Sequence, residues 1–450
     1  MRPRSGPRPP CLDESSLNLP APLLFSLIFL TALVLSVGTR LWLAARQVRH
    51  VARHRTAVPS QFADRITLSA HQRAADYTRA RVQLGMFESL LGAAVLLGLT
   101  VLGGIESIDS LLSEWLPDSP MWRQVLLIGA VALIASLIDL PIALYRQFGL
   151  EKRFGFNRMT PGLFLADLLK GMALSIALGL PLLMAVLWLM DRAGEHWWLW
   201  TWAVWMAFNM AVLVLYPTVI APLFNRFEPL EAGPVRERVE ALLVRCGFAA
   251  KGLFVMDGSK RSAHGNAYFT GLGRAKRIVF FDTLLSRLSV EEIEAVLAHE
   301  LGHFAHRHIL KRVISSFAIS LAGLWLLGWL SRQAWFYQGL GVTPDLSGAT
   351  GGHALLLFFL VMPVFTFVLN PVSSWLSRRH EFEADAFAAR QSSAEHLSRA
   401  LVKLYEDNAA TLTPDPVHSA FYDSHPPAAI RLQRLAGLNT PHAAPGWSPA

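Results

Sequence analysis

Residues 171–190 read GMALSIALGLPLLMAVLWLM and carry no charge. A helix that crosses a bilayer needs about 20 mostly apolar residues, and this run supplies them. Outward from it lie six more runs of the same kind. Residues 21–39, 197–220, 313–330 and 354–370 are uncharged, and the last stays apolar to Leu376. Residues 84–105 hold only Glu88, and residues 125–145 only Asp139. One such run can be a core helix of a large soluble protein; seven in one chain point to a polytopic membrane protein. The first run starts late, behind Asp13 and Glu14, and Arg40 and Leu41 follow it where a cleavage site would sit, so it reads as a retained span and not a signal peptide. Composition agrees. The 450 residues are 53% hydrophobic and only 16% charged, whereas soluble domains carry about a quarter charged residues. Disordered, fibrous and small cysteine-stapled chains are excluded on the same grounds.

Loop charge orients the bundle. The loop between spans one and two carries Arg46, Arg49, Arg53, Arg55, Arg65, Arg73, Arg79 and Arg81 against Asp64 and Asp76. The next loop is acidic (Glu106, Asp109, Glu114, Asp118), and the third is basic again (Arg146, Lys152, Arg153, Arg158). Positive residues stay on the cytoplasmic side, which puts loops one, three and five and the C-terminus inside. The N-terminus and Gly341 then lie outside; Arg2, Arg4 and Arg8 oppose this weakly. The net charge of +8 is assigned to these membrane-flanking loops, with no nucleic-acid partner expected. Cys11 and Cys246 fall on opposite sides and cannot pair. The expected organisation is spans one to five in 1–220, a cytoplasmic catalytic segment in 221–312, spans six and seven in 313–377, a second catalytic segment in 378–438 and a disordered tail in 439–450.

The chemistry starts at residues 299–303, HELGH. Ser289 followed by Glu292 reads as a capping box, so a helix begins near Val290. Residues three or four apart share a helix face, so His299 and His303 present two imidazoles to one ion, a pairing that suits zinc. Glu300 points toward the same centre. Catalytic zinc needs a third protein ligand and an open position. The candidate is Glu381 in residues 379–385, RHEFEAD. Asp385, one turn on, can accept the free N–H of a ligand histidine and orient it. Glu383 is a rival ligand, but helix geometry turns it away from that pair. The plain alternatives are surface histidines, with His306 and His308 adding to them, and a solvated acidic face.

Taken together, these stretches resemble the CAAX prenyl endopeptidase family, the integral membrane zinc proteases that include the type I CAAX prenyl protease. The similarity runs over nearly the whole chain, through residues 154–160 (FGFNRMT), 222–227 (PLFNRF), 264–271 (HGNAYFTG), 299–303, 381–385 and 424–427 (SHPP) with Arg431. The resemblance implies a mainly α fold, with seven transmembrane helices enclosing a water-filled chamber and a zincin-like cytoplasmic domain with a small β-sheet. It implies one Zn2+ per chain on His299, His303 and Glu381, and Glu300 as general base. It also implies Asp385 as the carboxylate behind a ligand, and His425 and Arg431 as donors to the scissile backbone and the tetrahedral intermediate. Asn266 and Ala267 would lie on an edge strand to which a peptide adds. Plainer roles are a salt-bridged helix arginine for Arg431 and a turn residue for His425.

The expected function is zinc-dependent endopeptidase action on extended chains or C-terminal tails, with a peptide or protein substrate that is lipidated or plain, by a monomer in a bilayer. Cationic loops and many tryptophans suit a bacterial inner membrane, where prenyl specificity need not carry over. A heat-shock-type quality-control zinc protease shares HExxH and the later Glu, but such chains are usually shorter with fewer spans. In an intramembrane site-2 protease the motif lies inside an apolar span, whereas here Glu291, Glu292, Glu294, Arg307 and Lys311 surround it. A non-catalytic scaffold or lipid-binding protein would have no use for the intact motif.

Overall fold

The structure is a computed structural model and describes residues 19–248, 252–270, 277–345 and 350–438. Cys11, the N-terminal arginines and the tail at 439–450 lie outside the described residues. Seven helical segments among the described residues are long and apolar enough to cross a membrane: Ala21–Arg53, Leu68–Leu99, Pro120–Glu151, Pro161–Arg192, Gly194–Phe224, His308–Leu330 and Gly351–Gln391. Each contains one of the seven apolar runs, save that residues 84–105 overshoot. The second span ends at Leu99, and the chain turns through Gly103 at φ +79° before the helix Gly104–Trp115 begins. Ile105 therefore belongs to a separate helix. Apolar side chains such as Val34, Ile319 and Phe359 stand exposed on these helices, as expected where lipid takes the place of water.

Several spans run well past the apolar stretch. The second starts at Leu68 and carries Tyr77 and Arg81 on its polar end. The seventh is the most consequential. An α-helix at Gly351–Thr366 passes through one tight turn at Phe367–Leu369 and continues as Asn370–Gln391. Pro371 sits at the start of this second helix, where its missing N–H is not needed. The helix thus crosses residue 377 without a break and carries Glu381 and Asp385 directly off the membrane.

Two cores result. One joins the spans and the helix Ala334–Gln338 through Phe29, Leu127, Leu187, Tyr337 and Leu357. The other joins the polar segments through Ile278, Phe280, Leu297, Leu301, Ala388 and Leu401. The polar core contains a four-stranded mixed sheet of β1 (Phe227–Pro229), β2 (Gly252–Met256), β3 (Ala267–Thr270) and β4 (Arg277–Phe281), in the order β1-β2-β4-β3. Strands β2 and β4 are parallel and the other two pairings antiparallel, which leaves β3 as an edge. Three of the family-like stretches meet at residues 261–264, where the Phe156 ring stacks on His264 with centroids 4.4 Å apart. Asn157 bridges to Ser262, and Arg261 binds Asp167 at 2.8 Å and Asn225 at 2.8 Å.

Candidate active site

The HELGH stretch lies on the helix Val290–Ala305. Both halves of the capping box form: Glu292 N donates to Ser289 Oγ at 3.4 Å, and Ser289 N donates to Glu292 Oε2 at 2.8 Å. The buried Glu292 and Glu294 carboxylates are held by Lys403 at 2.7 Å and by Arg238 and Arg245 at 2.6 and 2.7 Å. This helix packs on Asn370–Gln391 at unusually close range. A Cβ added at Gly302 would meet Ala384 Cα at 2.8 Å and Phe387 Cβ at 3.1 Å. Glycine inside the motif, facing Ala384, is what lets the histidine helix and the Glu381 helix approach. In the sequence the only sign of this contact is a small residue at 302 and another at 384.

Across that contact His299, His303 and Glu381 converge, with their donor atoms all within 4.8 Å of one another. His299 Nε2 lies 3.4 Å from Glu381 Oε2, and His303 Nε2 lies 3.3 Å from Glu381 Oε1. Donors bound tetrahedrally to zinc at about 2.0–2.2 Å stand roughly 3.3–3.6 Å apart, so the spacing fits that ion. Glu381 Oε2 is buried and has no hydrogen-bond partner. A buried carboxylate oxygen left bare is costly, and a cation between it and the imidazoles would remove that cost. Burial opposes charge on His299, but the Asp385 and Glu381 carboxylates outweigh it and lift the imidazole to about 9. Proton and metal therefore compete for this cluster.

Each histidine is backed differently. Behind His299, Nδ1 lies 2.9 Å from Asp385 Oδ1, and Asp385 receives Arg431 Nε and Nη2 at 2.7 and 2.6 Å. All three groups are buried. Behind His303, Nδ1 meets His308 Nδ1 at 3.0 Å, and His308 Nε2 meets Glu383 Oε2 at 2.9 Å. An ionised Glu383 can only accept, so His308 carries its proton on Nε2 and offers a lone pair at Nδ1. His303 then donates from Nδ1 and keeps Nε2 free for the metal. His380 stacks on His308 with ring centroids 4.0 Å apart and fixes its plane. Glu383 thus meets His308 and not the His299, His303 and Glu381 cluster, a contact that its position in the sequence does not announce.

Glu300 lines a cavity of about 920 Å³ together with His299, Glu381, Asn266, Ala267, His425 and Arg431. Burial pushes the Glu300 carboxyl up, against the pull of His299 and His303. His425 follows the helix Pro416–Tyr422 and is open to the cavity, its side chain 64% exposed, with Nε2 3.6 Å from Glu381 Oε1. Arg431 is only 4% exposed. Its Nε and Nη2 are committed to Asp385, so the salt-bridged arginine weighed from sequence is present; Nη2 also lies 3.7 Å from Glu381 Oε2. At the edge strand, Phe281 N donates to Asn266 O at 3.0 Å, so residue 266 faces β4. By alternation Ala267 presents its N–H to the open side, where Asn266 Oδ1 accepts from it at 2.8 Å.

The chain matches two family descriptions in succession: "CAAX prenyl protease N-terminal, five membrane helices" over residues 47–226, and "Peptidase family M48" over residues 229–439. It is 34% identical to CAAX prenyl protease 1 of Saccharomyces cerevisiae over 404 residues, covering 84% of this chain and 88% of that protein. It is 29% identical to the CAAX prenyl protease 1 homolog of Homo sapiens over 461 residues, covering 91% and 95%. The crystal structure of S. mikatae Ste24p superposes with a TM-score of 0.85 at 30% identity, covering 93% of this chain and 99% of that one.

Proposed function

This chain belongs to the CAAX prenyl proteases of peptidase family M48 and is a zinc-dependent membrane endopeptidase, and we propose on that premise how its residues divide the work. The observation that carries the reading is the convergence of His299, His303 and the bare Glu381 oxygen at zinc spacing. We assign these three as the ligands. A zinc ion held there supplies Lewis acidity to the scissile carbonyl and to water. Glu300, beside His299 on the cavity wall, takes the proton of the attacking water and returns it to the leaving amine. His425, open to the cavity, donates to the oxyanion as charge develops. Arg431 holds Asp385, which holds His299; its remaining N–H groups favour a second contact to the substrate backbone. Ala267 receives the peptide as an added strand, exchanging its bond to the Asn266 side chain for one to the substrate.

The substrate is an extended chain end that fits a narrow cavity roofed by membrane helices. The relatives are named for prenylated CAAX tails, which makes a lipidated C-terminal tail the form we propose. Exposed Asp139 in the third span, and Glu88 paired with Arg146 between the second and third, favour a bundle that encloses water, since charge at that depth needs water or a partner. We take the active unit to be a monomer. Loop charge places the site on the cytoplasmic face. Its assignment to a bacterial inner membrane rests on loop charge and tryptophan content alone, and the named relatives are eukaryotic.

Elemental analysis of chelator-washed protein should give near-unit zinc, lost in His303→Ala, with cleavage restored to apo-protein by zinc. Full metal in the His299→Ala/His303→Ala double variant would sink the assignment. For orientation, single cysteines at Ser113 and Ser259 in a background without Cys11 and Cys246 are exposed to an impermeant thiol reagent on intact cells. Ser113→Cys should label and Ser259→Cys should not; the opposite pattern inverts the topology.

A further inference from the structure

The loop 423–427 brings His425 within reach of the zinc ligands, and the ring itself does little to hold that place. Its side chain is 64% exposed, so packing does not locate it. Nδ1 lies 3.0 Å from Ser424 Oγ. A neutral ring that donates from Nε2 must accept at Nδ1, here from the Ser424 hydroxyl. That bond selects the nitrogen that carries the proton. It cannot aim the ring, because Ser424 rides on the same loop. Pro426 and Pro427 stiffen the backbone that follows, but stiffness does not aim it either.

The hold comes from the helix Asn370–Gln391. Arg378 Nη1 donates to Asp423 O at 2.8 Å and to Ser419 O at 3.1 Å. Ser374 Oγ, one turn earlier, donates to Phe421 O at 3.0 Å. These carbonyls end the helix Pro416–Tyr422, where a helix leaves its acceptors without partners and a cationic side chain can take them. The start of that helix is anchored separately. The buried Asp415 carboxylate caps it and receives Arg46 of the first span at 3.2 and 3.0 Å. Residues 374, 378, 381 and 385 follow one another at steps of four, three and four, so they lie on one face of one helix. A single stripe therefore carries the ligand Glu381, the His299 support Asp385 and the two side chains that grip the approach to His425. Arg378 and Glu381 are about 4.5 Å apart along the helix axis, which ties the loop to the metal ligands through one rigid element.

We propose that Arg378 is a positioning residue for His425. It grips the chain two residues before the imidazole and keeps the ring aligned with the centre that Glu381 helps to build. The inference rests on the assignment of His425 as oxyanion donor and adds what aims it. A misplacement of about 1 Å can cost about 10²-fold in rate, so an arginine that does not touch the substrate can still govern kcat.

The experiment uses zinc-loaded full-length protein in detergent and a peptide that the wild type cleaves. Arg378→Met, Arg378→Lys and His425→Ala are compared with the Arg378→Met/His425→Ala double variant, with zinc content measured on each. His425→Ala should lower kcat by about 10²–10³-fold, the cost of one oxyanion donor. Arg378→Met should lower kcat by roughly 10- to 100-fold, with KM and zinc content near wild type. Arg378→Lys, which keeps one donating cation, should recover part of that loss. The double variant should be no slower than His425→Ala, because a displaced donor and a missing donor are the same loss. A phosphinate analogue of the peptide imitates the tetrahedral intermediate and reads the effect without turnover. Arg378→Met should weaken its binding by the factor lost from kcat, whereas the peptide itself should bind Glu300→Gln protein equally with and without Arg378→Met. Wild-type kcat in Arg378→Met overturns the proposal. So do losses that multiply in the double variant, since Arg378 would then act apart from His425. Should the methionine variant lose zinc, the lysine variant carries the same comparison; zinc lost from both makes Arg378 a support of the metal helix and overturns the proposal. If His425→Ala cleaves at the wild-type rate, the oxyanion assignment fails and takes the proposal with it, a result distinct from a loss in His425→Ala that Arg378→Met does not share.

Discussion

The two ligand histidines sit one helical turn apart, yet the groups behind them are built to different standards. His299 leans on Asp385 and through it on Arg431, all buried, with bonds of 2.6–2.9 Å. His303 leans on His308 and then on Glu383, whose side chain is 31% exposed and shares a bond with the largely exposed Arg379. The first support is a closed ionic chain in which every charge depends on its neighbour. The second runs through a neutral imidazole to a half-exposed carboxylate, whose place water can take. The same function, fixing which imidazole nitrogen faces the metal, should therefore be indispensable on one side and forgiving on the other.

Asp385→Ala should have the largest effect. It strips His299 of its partner and leaves the Arg431 guanidinium buried without its carboxylate. Breaking such a pair costs about 3–5 kcal/mol, and losing the group behind a ligand costs about 10–100-fold in metal affinity. Thermal unfolding and chelator competition read the two losses separately. Gly302→Ala comes next. The new methyl group must push the two helices apart by way of Ala384, an overpacking cost of about 1–3 kcal/mol, and zinc should weaken because both supports lose register. Glu383→Ala should lower zinc affinity by about tenfold with little change in the melting transition. A loss as large as that of Asp385→Ala would erase the contrast between the two supports. Arg379→Ala should change neither, since exposed ion pairs contribute about 0–1 kcal/mol; a measurable loss of zinc would mean that the relay extends further than Glu383.

The contrast also marks what the sequence could convey. Spans were legible because about 20 apolar residues in a row match the thickness of a bilayer core, and the start at Val290 because a capping box is a local pattern. Asp385 was legible because residues four apart share a face. His308 and Glu383 were not. They come from different helices, and only the chain reversal at Arg307, with φ +57°, folds His308 back beneath His303. Gly302 was silent for a similar reason: its meaning lies in Ala384 across the contact. The helix of the seventh span continues past the apolar run into residues 378–391, because nothing in the backbone stops it where the polar side chains begin. The pairing of Arg431 with Asp385 is a tertiary contact between residues 46 apart, so no local pattern announces it.

In the mechanism proposed above, Glu300 moves protons at a zinc centre without holding the zinc. Glu300→Gln keeps the size of the side chain and removes the base, an interaction needed only in the transition state, so kcat should fall while binding persists. One preparation of Glu300→Gln, measured for zinc content and for peptide cleavage, should show wild-type zinc and a rate lower by about 10²–10⁴-fold. Cleavage at near the wild-type rate would contradict the mechanism, and loss of zinc along with activity would require a different ligand set.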